Sequence, residues 1–229
     1  MDLIQSKLFK FKEEKYKSFQ AKLLPNLDSE IIIGVRMPNL RKLAKEICKK
    51  GLREEFIKSL PHEFYEENIL HALLINEEKD SKKAFELIDD FVPFLDNWAV
   101  VDAINPGVLK KAYDSELLEW IKKHVYSGRE FEIRVGILTL KNNFLGERFA
   151  PEYLFIPSAV KDESPYYARM MAAWFYAEAV AKQRDHAIEF LMGNHLDKWV
   201  LNKSVQKATE SFRVSEEDKK LLKKLKVLD

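Results

Sequence analysis

An all-α chain of HEAT-like helix pairs is the fold class this sequence predicts, and three observations predict it. Apolar residues recur at helical spacing almost from end to end. Only 7 Gly and 8 Pro punctuate 229 residues, too few for the turns of a β-sandwich or barrel. The breaks fall roughly every 15–20 residues, so helix pairs recur at about 35–45 residues. The simplest architecture is an α-solenoid of antiparallel pairs, curved, with a concave working face. With 46% apolar residues the chain can fill a large core, and disorder is excluded. No linker or low-complexity tract divides it, so residues 1–229 read as a single domain.

The elements follow in order. Pro38 stands in the first turn of a helix that places Leu40, Leu43, Ala44 and Ile47 on one stripe and ends at Gly51. Before it, Ile31-Ile32-Ile33 is the one run that could form a strand. Pro61 starts the next connection, and Phe64 to Leu74 form a helix. Ser81 is the expected cap of a helix containing Phe85, Ile88 and Phe91. Asp96 or Asn97 caps a short helix with Trp98, Val101 and Ile104, and Asn105-Pro106-Gly107 breaks the chain. Asp114 to Tyr126 and Phe131 to Phe144 pair across Ser127-Gly128. After Pro151 and Pro165 come Tyr166 to Lys182, His186 to Met192, Lys198 to Ser211 and Glu216 to Leu225.

Charge is uneven beneath a net of +1. Residues 1–50 carry +6 and residues 51–100 carry −7. The single cysteine, Cys48, excludes an intrachain disulfide and a cysteine-only zinc site, and five scattered histidines form no metal motif. No cofactor or metal is expected. No apolar run reaches the ~18 residues a bilayer span needs, and Met1 to Phe11 lacks a signal-peptide core. The expectation is a cytoplasmic protein with no membrane partner. With no heptad seam, it is expected to be a monomer.

Chemistry concentrates in three helices. Trp98 and Asp102 lie four residues apart and share a helix face. Arg134 sits among Ile133, Val135 and Ile137, and Trp174 in Ala172-Ala173-Trp174-Phe175-Tyr176. In a solenoid, equivalent positions of successive repeats line up on one surface. Taken singly, each has an ordinary structural use: Trp in the core, Asp at a helix start, Arg with a solvated tip or in a buried ion pair with Asp102.

Five segments carry a resemblance in the right order: Gly34-Val35-Arg36-Met37-Pro38-Asn39-Leu40-Arg41; Asp96-Asn97-Trp98-Ala99-Val100-Val101-Asp102; Glu130-Phe131-Glu132-Ile133-Arg134-Val135-Gly136; Tyr166-Tyr167-Ala168-Arg169-Met170 to Trp174; and Asn202-Lys203-Ser204-Val205-Gln206-Lys207. Together they resemble the AlkD-like DNA alkylation repair family, which includes HEAT-like alkylpurine DNA glycosylases. The resemblance implies excision of cationic N3- or N7-alkylated purines from duplex DNA. It implies Asp102 as the catalytic aspartate, Trp98 and Trp174 as lesion-contacting tryptophans, and Arg134 as an arginine that grips a phosphate.

Basic residues supply further candidates for the DNA backbone. Arg36, Arg41, Lys42 and Lys45 follow the Gly34–Pro38 turn, and Arg169, Lys203, Lys207 and Arg213 serve the C-terminal end. Each could equally belong to a solvated face, and Arg213 could hold helix carbonyls. Trp120 and Trp199 read as packing residues, and Glu66, Glu67, Glu77 and Glu78 as water-facing. His71 reads as a satisfied histidine beside the core, and Cys48 lacks a placed base. Two other functions fit the same residues: non-catalytic recognition of branched or distorted DNA, and a helical-repeat scaffold for a protein partner.

Overall fold

The structure, a computed structural model, describes residues 2–227. The described residues form thirteen α-helices joined by short turns, five of them 3₁₀, with no strand. Contacts divide the chain into two compact units, with the boundary between Lys111 and Ala112.

The first unit holds α1 (Asp2–Lys10), α2 (Glu14–Leu23), α3 (Met37–Lys49), α4 (Arg53–Lys58), α5 (Tyr65–Ile75), α6 (Ser81–Phe91) and α7 (Trp98–Ala103). α3 buries the stripe Leu40, Leu43, Ala44 and Ile47 that its periodicity predicts. Pro38 lies in its first turn, and Gly51, at φ +71°, follows its end. α5 is the hub, packed against α3, α4, α6 and α7, and ten of its eleven residues are buried.

That burial overturns one expectation. Glu66 and Glu67 do not face water; both are 0% exposed. Glu66 accepts hydrogen bonds from the backbone amides of Ile33, Gly34 and Val35 at 2.9, 2.7 and 3.1 Å. Glu67 accepts from the amides of Glu63 and Phe64 and caps its own helix. Backbone donors replace water at both oxygens of Glu66, and at Oε2 of Glu67, whose Oε1 is buried without a hydrogen-bond partner. Glu66 thereby shapes the turn before α3. There Gly34 sits at φ +96°, and a Cβ would fall 2.7 Å from the Glu13 carbonyl oxygen.

Two further local expectations are corrected. Ile31–Ile33 form no strand: a 3₁₀ turn at Ser29–Ile31 leads into extended chain, which Glu66 binds in place of a neighbouring strand. Asp80, not Ser81, caps α6, accepting from the Lys83 amide at 2.9 Å.

The second unit holds α8 (Asp114–Val125), α9 (Glu130–Phe144), α10 (Tyr166–Lys182), α11 (Arg184–Met192), α12 (Lys198–Glu210) and α13 (Glu216–Lys223). α9 packs between α8 and α10, and α10 also touches α11 and α12. Gly136 permits the close approach of α9 to α8, because a Cβ there would lie 2.9 Å from Val125 Cγ2 and 3.0 Å from the Ile121 carbonyl oxygen. α10 is buried on most of its circumference, with Ala168, Ala172, Ala173, Ala177 and Ala179 keeping neighbours close.

Candidate functional site

In the first unit, the tryptophan and aspartate stand together. α7 has only six residues, too few to be stable alone. Polar groups hold it. Asn97 caps its start, with Oδ1 accepting from the amides of Ala99 and Val100 at 3.0 Å each. Asn76 holds its end: Nδ2 donates to the Ala103 carbonyl at 2.8 Å, and Oδ1 accepts from the Asn105 amide at 2.6 Å. The Trp98 indole Nε1 donates to the Leu23 carbonyl at 3.2 Å, tying α7 to the end of α2.

So fixed, Trp98 and Asp102 are both half-buried and line one cleft of about 440 Å³. Arg41, Met37, Tyr65 and Asn76 line it as well. The cleft combines apolar walls, an indole, a carboxylate and a cation. The indole, the carboxylate and the apolar walls can hold a flat cationic ring and stabilise positive charge beside it, and the cation can meet a phosphate.

The basic residues sort by what they touch. Arg36 donates from Nε to both oxygens of Glu13, at 3.0 and 2.9 Å, and its guanidinium lies 4.7 Å from the Tyr16 ring centroid. Arg41, Lys42 and Lys45 are exposed on α3, and among the described residues no carboxylate pairs with them.

In the second unit, Arg134 is only 2% exposed, so its tip is not the solvated one expected of an arginine in an apolar helix. Its guanidinium lies 5.4 Å from the Trp174 ring centroid, and Nη1 donates to the Tyr167 carbonyl at 3.1 Å. The Tyr167 amide in turn donates to Glu130 at 2.7 Å. Two α9 side chains thus grip both backbone groups of Tyr167, in successive peptides at the start of α10. This sets the register of the half-buried Trp174.

Arg169 lies over the Trp199 ring at 4.5 Å, with the Lys203 ammonium 5.7 Å from the same ring. Lys207 pairs with Glu210 at 2.9 Å, and Arg213 holds both oxygens of Glu178. Hydrogen bonding to Arg213 holds the Glu178 carboxyl down at about 2.

Some features had little or no signal in the sequence. Asn76 lies just past the end of α5, in no motif. Trp199, read as packing, keeps company with two cations; the spacing of Lys203 four residues later was the available hint. His71 is satisfied as expected: it is 1% exposed, stacks on Phe91 at 3.9 Å and meets His62 at 2.9 Å. Burial pushes His62 down to about 4 and His71 to about 3. Among the described residues no three of His, Cys, Asp and Glu stand together as a metal site, and no helix is long and apolar enough to cross a membrane.

Comparison with known families gives one match: a model described as DNA alkylation repair enzyme, over residues 4–208. Comparisons with curated proteins and with solved structures gave no match.

Proposed function

We propose that this chain, which belongs to the DNA alkylation repair enzyme family, is a DNA glycosylase for cationic N3- and N7-alkylated purines in duplex DNA. The observation that carries the reading is the placement of Asp102 and Trp98 on one cleft, on a helix pinned at both ends. An alkylated purine already bears positive charge, so it leaves without a general acid. What develops is positive charge on the deoxyribose, and a carboxylate beside the anomeric carbon stabilises it and orients the attacking water. At about 4 Å this attraction is about 1 kcal/mol in water and about 4 kcal/mol at an effective dielectric of 20. The larger figure corresponds to ~10³ in rate.

Trp98, on the Asp102 cleft, is the lesion-contacting indole of the first unit and contributes about 0.5–2 kcal/mol of cation–π attraction; Trp174 is the second unit's candidate for the same role. Arg41, Lys42 and Lys45 on α3, with Arg169 and Lys203 in the second unit, are the phosphate contacts with no carboxylate ion-pair partner among the described residues to give up. Arg36, Lys207 and Arg213 reach a phosphate by exchanging Glu13, Glu210 and Glu178 for it. Arg134 serves mainly through Trp174 and the Tyr167 peptide.

The test is release of 7-methylguanine and 3-methyladenine from methylated duplex DNA by wild type and Asp102→Asn. Wild type is expected to release both bases, with the variant slower by ~10³ at unchanged DNA affinity. Equal rates for the two proteins would remove Asp102 from the chemistry. No release by folded wild type would remove the glycosylase reading.

A further inference from the structure

The second unit carries a surface cluster whose two cations the proposed reaction uses only as phosphate contacts and whose aromatic rings it does not use. Trp199, at the second position of α12, is half-buried. Arg169 from α10 lies over its ring at 4.5 Å, and Lys203, one turn along α12, is 5.7 Å from the same ring. Two cations share one indole. Among the described residues neither has a carboxylate ion pair; Lys203 donates only to Gln206, at 2.8 Å. The Arg169 Nε is buried and has no hydrogen-bond partner, so stacking, not hydrogen bonding, fixes the plane of the guanidinium. Asp162, the acid that touches Trp199, is occupied with that residue's backbone amide, at 3.1 and 3.2 Å.

Aromatic rings continue the surface. Tyr166 stands edge-on to Trp199 at 6.1 Å and to Tyr167 at 5.2 Å, and Tyr167 stacks on Phe131 at 5.7 Å. Tyr166 opens this row to solvent, at 52% exposed. A ring that large in water, beside two cations with no direct carboxylate ion pair among the described residues, matches the two halves of a nucleotide: a planar base and a phosphate.

We propose that Arg169, Lys203 and Trp199 form a preorganised phosphate clamp, and that Tyr166 stacks the base attached to that phosphate. A base reaches an aromatic face only when it is out of a duplex stack. The ligand is therefore an unpaired stretch of a DNA strand, such as a bulge or a single-stranded end. The clamp requires neither Asp102 nor an alkylated base, so it stands or falls apart from the glycosylase reading.

The experiment uses unmodified fluorescein-labelled DNA and anisotropy titration of the full chain. One probe is a duplex with a two-thymidine bulge; the other is the same duplex without it. Wild type is expected to bind the bulged probe at least fivefold more tightly. Tyr166→Ala is expected to abolish that preference, and Tyr166→Phe to keep it, because stacking needs the ring and not the hydroxyl. Arg169→Ala/Lys203→Gln is expected to weaken both probes by tenfold or more. It should also flatten the slope of log K against log salt by roughly 0.9, for the one phosphate the clamp neutralises. Thermal melts confirm that each variant is folded; Lys203→Gln alone, which keeps the side-chain stem, is expected to lose about half of that slope change. Three results overturn the proposal: equal wild-type affinity for the two probes, an unchanged salt slope in the double variant, or a bulge preference that survives Tyr166→Ala.

Discussion

α7 and α9 both carry residues assigned to the proposed reaction, and they are held in opposite ways. α7 has six residues; Val100 and Val101 are buried and the helix packs on α5, while side-chain hydrogen bonds from Asn97 and Asn76 and the tether from Trp98 fix its two ends. α9 has fifteen residues, ten of them buried, and its position depends on packing around Gly136. A helix held by polar clips can move with little loss of stability. A helix held by packing cannot move without loss of the core. Substitutions in the two regions should therefore separate activity from stability.

The largest expected effect is at Glu66, which supports the frame on which the first unit rests. Glu66→Ala leaves three buried amides without an acceptor, each costing about 1–3 kcal/mol. A loss of about 3–5 kcal/mol is expected in urea denaturation. A loss under 1 kcal/mol would mean that water replaces the carboxylate and that the turn before α3 stands without it.

Asn76→Ala tests the clip itself. The side chain is half-buried, and its removal is expected to cost about 1 kcal/mol of stability. It frees the end of α7, one residue beyond Asp102, and a displacement of about 1 Å there corresponds to ~10² in rate. The expected readout is a fall in single-turnover base release of that size, with DNA affinity held. A variant that loses several kcal/mol of stability but keeps its turnover rate would show that packing positions α7 after all.

The converse holds in α9. Gly136→Ala forces a methyl against Val125 and the Ile121 carbonyl, and overpacking of this kind costs about 1–3 kcal/mol. The midpoint of denaturation is expected to drop. In the protein that remains folded, the base-release rate is expected to stay within about threefold of wild type.

The same contrast explains what could be read in advance. Helices defined by packing are visible as period. The stripe from Leu40 to Ile47 and the long apolar run of α10 announced themselves, and so did the pairing of Trp98 with Asp102 at i and i+4. Polar groups that act across the fold are not visible as period. Glu66 reads as one more acid in a block of negative charge, because its three partners lie more than thirty residues upstream. Asn76 reads as a polar residue after a helix, because its partners lie near residue 104. Arg169 and Trp199 are thirty residues apart, and only tertiary packing lays one over the other. Arg36, Lys207 and Arg213 read in the sequence as backbone contacts or solvated charges, and Arg213 as a holder of helix carbonyls; pairing with Glu13 and Glu178 leaves no local trace, whereas Glu210 lies three residues after Lys207.

A separate effect is one of pH, and it belongs to the hub of the first unit. His62 and His71 meet at 2.9 Å between Phe56, stacked on His62 at 4.6 Å, and Phe91, stacked on His71 at 3.9 Å. Burial disfavours their charged forms and lowers them from 6.5 to about 4 and about 3. The unfolded chain takes up protons on these residues as pH falls through 6.5, while the folded chain does not until about 4 and below. Their contribution to stability is therefore complete above pH 6.5 and is lost as the pH drops from there toward 4. Each histidine contributes a slope of up to about 1.4 kcal/mol per pH unit in that window. Glu46 and Glu178, held at about 2 by Lys7 and Arg213 respectively, act mainly below 4.5, so the two effects occupy different pH ranges. Urea titrations of wild type and His62→Leu/His71→Leu from pH 7.5 to 4.5 separate them. The double variant is expected to show a flatter profile between pH 6.5 and 4.5. Parallel profiles would show that the pair accepts protons in the folded state as readily as in the unfolded chain.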